Sequence, residues 1–261
     1  MFSGAIFKQT MKANWKLRAI FTVIPMIIFV AITAVFDMET IYTMADVLEG
    51  TPMASMMKEQ SFLGVVGSMF FGMQGLILLM IYVIITANSL VASQVDRGSM
   101  AYLLSTPTKR STIIRTQALY LITAILATFV ILATAGTVAI NVFQGDAGVS
   151  IAEFLILNSG AFLLMFAIAG VSFFFSAVFN LSKHSITFGA GLPLAFFILD
   201  IMADMEGFES LRHGTLITLF DIPAILDGGN NVWWQLSLLA IIGCTLFVAG
   251  GKIFVKKDLP L

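Results

Sequence analysis

Six long stretches of this chain carry almost no charge, and they constrain its fold more than any motif does. A helix needs about 20 apolar residues to cross the hydrocarbon core of a bilayer. The charge-free runs fall at 19–36, within 61–95 (most apolar from 62 to 87), at 116–143, at 154–179, at 186–203 and at 232–251. Only Asp200 interrupts them, near the end of the fifth, while Trp233 and Trp234 open the sixth as an interfacial aromatic anchor. Charged residues make up 11% of the chain, against about 25% in soluble domains. The expected class is an all-α integral membrane protein with six transmembrane helices, in one transmembrane domain over 1–261.

The basic residues set the expected orientation. Lys8, Lys12, Lys16, Arg18, Arg97, Lys109, Arg110, Arg115, Lys183, Lys252, Lys256 and Lys257 all fall on one side, leaving only Lys58 and Arg212 on the other. Positive charge is retained on the cytoplasmic side, so both termini are expected there. Acids follow the opposite bias: only Asp96 and Asp258 lie on the basic face. The first apolar run has no small-x-small cleavage pattern after it and reads as a retained helix rather than a signal peptide.

Several segments lie outside the expected spans. Residues 1–18 set Phe2, Ile6, Met11 and Trp15 among four cations, which suits an interfacial helix before a turn into the first span; a disordered basic tail is the alternative. Residues 37–60 hold five acids and five methionines, with Ile41, Met44, Val47 and Leu48 on one helical face. A methionine cluster can bind Cu(I), but the irregular spacing favours packing. Ser150 and Glu153 form a capping box for the fourth span.

Before the sixth span, residues 204–231 contain two apolar pieces, 216–220 and 222–226, too short to cross a membrane. Pro223 and the pair Gly228-Gly229 break them. They are expected as re-entrant half-helices in the outer leaflet, with Leu216, Leu219, Phe220 and Pro223 as exit-gate candidates; an ordinary loop is the alternative. Gln74 and Asn158 are the most interior polar side chains and the pathway candidates, although an interhelical hydrogen bond would explain either. Gly189-Ala190-Gly191 followed by Pro193 marks the fifth helix for bending.

The segment 93–112 between the second and third spans is the most distinctive. Residues 93–104 read as one helix with Met100, Leu103 and Leu104 inward, stopped at Thr106-Pro107, with Pro107 free to begin the next helix. Asp96 is expected to pair with Arg97, Arg110 or a partner's basic residue. The pattern Asp96-Arg97-Gly98-Ser99-Met100, then Leu103-Leu104-Ser105-Thr106-Pro107 and Arg110, resembles the cytoplasmic loop of ABC-2-type permeases, the six-helix membrane subunits of ABC exporters. Gln94 stands where that family often has a second acid.

The resemblance implies that 93–107 is a coupling helix seated on an ATP-binding subunit, with Lys183 and His184 as a lesser contact. It implies ATP and Mg on that partner, no cofactor on this chain, and a second permease copy or a related permease across the pathway. No phosphate-binding loop occurs in the chain, which is therefore not expected to hydrolyse ATP. An amphiphilic cargo (peptide, lipid or drug) suits a pathway without fixed charge. The expected location is a multi-pass position in the cell membrane, that of bacteria, with no nucleic-acid partner. A non-transporting scaffold is the alternative; a secondary transporter would keep ionisable groups at mid-membrane, and none of the six runs has one at its centre.

Overall fold

The computed structural model describes residues 2–47, 61–105, 107–145, 148–203, 208, 210, 214–229 and 231–258. Among them there is no strand. Eleven α-helices follow one another: α1 Gly4–Val35, α2 Met38–Val47, α3 Phe62–Met69, α4 Gly75–Leu90, α5 Ala92–Asp96, α6 Ser99–Leu104, α7 Arg110–Phe143, α8 Ile151–Val178, α9 Ser182–Ala203, α10 Ile222–Leu226 and α11 Val232–Lys256. Six helical units are long and apolar enough to span a membrane: α1, α3–α4 continued into α5, α7, α8, α9 and α11. All six correspond to the charge-free runs.

Span four, α8, is the axis of the molecule, and its apolar window is the most buried of the six. Helices α11, α9, α4 and α7 all pack on it, while α1 lies outside against α7 and α4. Close approach to α8 is bought with small residues. Gly170 faces Gly243 so tightly that an added Cβ would sit 3.0 Å from the Gly243 carbonyl oxygen and 3.2 Å from its Cα. Serines of α8 bind its neighbours directly. Ser172 Oγ donates to Gly189 O at 2.8 Å, and that carbonyl is the one left free because Pro193, four residues on, has no N–H. The expected weak point of α9 is thus satisfied from α8, and α9 runs unbroken through Pro193.

The interfacial helix expected over 1–18 is not a separate element. The helix α1 runs unbroken from Gly4 to Val35, because nothing between Asn14 and Ile24 is a Gly or Pro that could stop it. Its first half is tied to α7 instead: Ser3 N donates to Thr116 Oγ1, and Thr10 Oγ1 donates to Gln117 Oε1. The second span also departs from a plain helix. Gly75 N donates to Phe70 O, closing a π-helical turn over Phe70–Gln74.

Outside the spans, Asp37 Oδ1 accepts from Thr40 N at 2.7 Å and caps α2, the short helix expected there. Ile41 is buried, whereas Met44 and Val47 are exposed; Leu48 lies outside the described residues, as do Lys58, Thr106, Arg212 and most of the methionine cluster. Ser150 Oγ accepts from Glu153 N, as the capping box required.

Candidate functional site

At one end of the bundle the loops after spans two and four meet. Helix α4 stops at Val91, whose φ of −130° and ψ of −74° break the helical path. Ala92, the first residue beyond the break, donates its N–H to Ser176 Oγ at 3.0 Å, and Ser176 Oγ donates to Ala87 O at 3.0 Å. One serine on the axial helix thus serves both sides of the kink. The kink aims α5 and α6 along the surface. Nothing in the local sequence marks Ser176, whose partner lies 84 positions away.

The single helix expected over 93–104 is divided. Gly98 lies at φ 70°, a left-handed position that separates α5 from α6. Glycine adopts it without the steric cost of a Cβ. Ser99 Oγ donates to Gln94 O across the break. Met100 is fully buried and anchors α6, with Leu103 and Leu104 half-buried beside it. Arg97, Gly98, Ser99 and Tyr102 face outward, Tyr102 at 80% exposure. Tyr102 was missed by sequence reasoning, although its position between inward Met100 and Leu103 carried the signal. Pro107 does not begin the third span either. Lys109 is the N-cap and Arg110 the first helical residue, so residues 107–109 form a short non-helical link.

Asp96 takes a partner that sequence reasoning did not foresee. Its Oδ2 accepts from Ser182 N at 3.2 Å, so it caps α9 from the neighbouring loop. Asn88 Nδ2 donates to Ser182 Oγ at 2.7 Å and reinforces the join. This brings the exposed Lys183 and His184 beside the α5–α6 segment, as one composite surface. His184 rests edge-on against Phe179, with ring centroids 5.9 Å apart.

Arg110 turns to Lys257, donating from Nη1 to its carbonyl at 3.2 Å. Lys257 Nζ in turn donates to the carbonyls of Ala177, Val178 and Phe179, at 2.8, 3.3 and 3.1 Å. These are the last acceptors of α8, which no helical N–H reaches. The knot therefore joins the start of α7 and the end of α11 to the axial helix. Burial lowers the Lys257 ammonium from 10.5 to about 8.

Replacing Lys257 with methionine should cost about 1–3 kcal/mol at pH 7, because three carbonyls lose a charged donor. As pH rises, the folded protein sheds this proton before the unfolded chain does. The stability advantage of wild type over Lys257→Met should therefore grow between about pH 8 and 10.5. Thermal midpoints of both proteins at pH 7 and pH 9.5 check this; a gap that closes at pH 9.5 contradicts it.

The pathway candidates are not brought together. Asn158 is buried and donates from Nδ2 to Phe129 O, an interhelical bond to α7. Gln74 is not interior: the π turn carries it to the exposed face beside Met73. At the opposite end of the bundle, Ile217–Leu219 forms a 3-10 turn followed by α10. Phe220 and Ile222 are buried there, Leu216 and Leu219 are half-buried and Pro223 is exposed. Phe220 reaches Gly160 of α8 and Phe71. These short helices cover the end of the bundle through the buried side chains of Ile217, Phe220, Ile222 and Ile225.

Against known families, a model described as "ABC-2 family transporter protein" matches residues 7–219. No curated protein and no solved structure matches.

Proposed function

This chain belongs to the ABC-2 family of transporter proteins, as a multi-pass membrane permease, and on that premise we propose that it is the membrane subunit of an ATP-driven exporter. Permeases of this family normally pair with an ABC ATP-binding subunit. The composite surface of α5, α6, Lys183 and His184 is where that subunit docks, and ATP and Mg belong to it. Both termini and this surface face the cytoplasm, in keeping with the twelve-to-two distribution of Lys and Arg.

The observation that carries this reading is the exposed ridge Arg97-Gly98-Ser99-Tyr102, held on a buried Met100 and tied through Asp96 to the next loop. Tyr and Arg on a rigid support are the residue types that dominate protein interfaces. Motion delivered to α6 would pass through Asp96 to α9 and through the Val91 kink to Ser176 on α8. A second copy, or a related permease, completes the pathway, whose cargo is amphiphilic. The exposed Gln74 suits a face turned toward such a pathway or partner, since a polar amide is costly against lipid.

The test uses Tyr102→Ala, Gly98→Trp and Asp96→Arg in a Cys244→Ser background. An added Cβ at Gly98 meets nothing within 4 Å, but its φ of 70° strains any side chain, so Gly98→Trp perturbs the break between α5 and α6 as well as docking, and Tyr102→Ala is the variant that removes an exposed contact alone. All three variants should insert normally, while ATPase co-purification or substrate-stimulated turnover falls at least about tenfold, the effect of losing one interface anchor. A cysteine at Ser105 should resist impermeant labelling in sealed cells. Normal coupling in all three variants would reduce the surface to a passive anchor, the scaffold reading; outside labelling of Ser105→Cys would reverse the topology.

A further inference from the structure

The groove between α7 and α11, at the same end of the bundle as the α5–α6 surface, differs from the grooves between α8 and α11 and between α1 and α7. It encloses about 510 Å³ and is walled by Leu119 and Ile122 from α7 and by Val248 from α11. Phe173 of the axial helix and Phe247 form its floor. Three cations, Arg115, Lys252 and Lys256, also line it, and all three are exposed. Arg115 sits about a turn and a half into α7, and Lys252 and Lys256 are one turn apart in the last stretch of α11. The three therefore share one level, at the bundle's end.

None of the three is paired with a carboxylate among the described residues. By contrast, the groove between α8 and α11 that includes Leu163 and Ser237 carries no charged side chain, nor does the groove between α1 and α7 that includes Val30 and Val138.

We propose that this groove is a binding site for an anionic phospholipid, with acyl chain against Leu119, Ile122 and Val248 and phosphate held by Arg115, Lys252 and Lys256. The chemistry of the groove asks for an amphiphile of one polarity: an apolar tail as deep as the helix wall and a negative head at its mouth. Basic pockets between transmembrane helices recognise anionic head groups in this way. Long Lys and Arg stems lie along apolar wall while their charged ends reach the headgroup layer. The volume falls within the range of about 300–1,000 Å³ typical of small-molecule sites. The site also touches the coupling apparatus, since Arg115 is one turn and a half from Arg110 and Lys256 precedes Lys257. A bound lipid would thus bridge the two helices that the Lys257 knot joins to α8. The proposal rests only on the chain being a membrane protein, not on its docking an ATPase.

A tryptophan reporter tests it directly. The full-length chain carries Val248→Trp, with Trp15, Trp233 and Trp234 replaced by Phe, in vesicles of mixed phosphatidylcholine and phosphatidylglycerol. Either lipid can be supplied with brominated, fluorescence-quenching tails. Phosphatidylglycerol should be favoured at least about tenfold at this position, given roughly fivefold for each basic residue near the surface. A control chain keeping only Trp233, in the uncharged α8–α11 groove, should show no preference.

In the triple variant Arg115→Gln/Lys252→Gln/Lys256→Gln, the preference at Val248→Trp should vanish. Quenching by phosphatidylcholine should persist, showing that the variant is inserted and folded. Arg115→Lys should keep the preference. Equal quenching by the two lipids in the parent reporter overturns the proposal, as does a preference that survives the triple variant. Lack of quenching by either lipid means that protein covers the groove and also overturns it. Displacement of the lipid by inorganic phosphate, at constant ionic strength, would make it a free-anion site and overturn the lipid assignment.

Discussion

Leucine at Gly170 should unfold this protein or leave it unable to assemble. The axial helix α8 and the last span α11 meet backbone to backbone at Gly170 and Gly243, where a Cβ on Gly170 would lie 3.0 Å from a carbonyl oxygen and 3.2 Å from a Cα. Backbone cannot turn aside as a side chain can, so the helices must separate. The separation would propagate. Gly243 fits against the Phe166 ring and Gly250 against Phe174 Cα, so the whole seam loses contact together. In lipid, helix association depends on packing, since burying Leu from lipid gains little. Overpacking a tight core costs about 1–3 kcal/mol, and a backbone-on-backbone contact belongs at or above the top of that range.

The expected sequence of effects is a loss of about 3 kcal/mol for Gly170→Ala, whose Cβ already meets the Gly243 backbone, and a larger loss for Gly170→Leu. Gly191→Leu should be near neutral, because nothing lies within 4 Å of a Cβ there. Thermal midpoint and monodispersity in detergent measure all three. A wild-type midpoint for Gly170→Leu would mean that the seam is not close-packed.

The six spans were legible because the bilayer imposes a crude rule. Apolar length and the absence of charge suffice, and neither depends on tertiary context. The details that shape the candidate site obey subtler rules. Gln74 was expected to be interior because it sits well inside an apolar run. The π turn at Phe70–Gln74 changes the phase of the helix and turns Gln74 outward, and the local sequence Phe-Phe-Gly-Met-Gln gives no sign of it.

Asp96 was expected to seek a cation, since cations surround it in sequence. A backbone N–H at the start of α9 offers an equally favourable electrostatic partner, but at a separation of 86 residues. Gly98 was read inside a helix, where it would merely have been tolerated; its positive φ makes it the break. The interfacial helix at the N-terminus failed for the opposite reason. Of Phe2, Ile6, Met11 and Trp15 only Ile6 is buried, and pattern cannot distinguish a turn from continuation where no Gly or Pro intervenes. The inward positions Met100, Leu103 and Leu104 were legible because periodicity alone decides them.

Aspartate at Phe220 should be the most damaging single change at the end of the bundle opposite the α5–α6 surface. The gate candidates Leu216, Leu219 and Pro223 keep partial or full exposure, whereas Phe220 is buried. Its ring lies 3.0 Å from where a Cβ on Gly160 would stand, and its centroid is 6.5 Å from that of Phe71. Through Phe71 it joins a cluster that includes Phe70, Phe29 and Phe154, rings contributed by α1, the π turn and α8. Removing the ring alone, as in Phe220→Ala, should cost about 3–5 kcal/mol. Phe220→Asp adds a carboxylate with no cation among its described neighbours, and desolvating it costs several kcal/mol more unless it is protonated or the cover opens. Opening is the cheaper course, because Ile217–Leu226 is held mainly by Ile217, Phe220, Ile222 and Ile225.

A cysteine at Gly67, beneath Ile222, would become reactive only when that cover lifts. However, it would itself crowd Leu157, 2.8 Å from the added Cβ. Gly72→Cys in a Cys244→Ser background is the better probe, since its Cβ would lie 3.8 Å from Ile222 and meets no closer atom. Phe220→Asp should therefore insert, lower the thermal midpoint, and expose Gly72→Cys to labelling at least about tenfold faster, with transport lost or leaking. Phe220→Leu should keep the cover shut and remain near wild type, while Leu219→Asp should be milder because its side chain already reaches the surface. If Phe220→Asp keeps both the wild-type midpoint and the slow labelling of Gly72→Cys, the segment is not seated on the bundle and cannot serve as an outer gate.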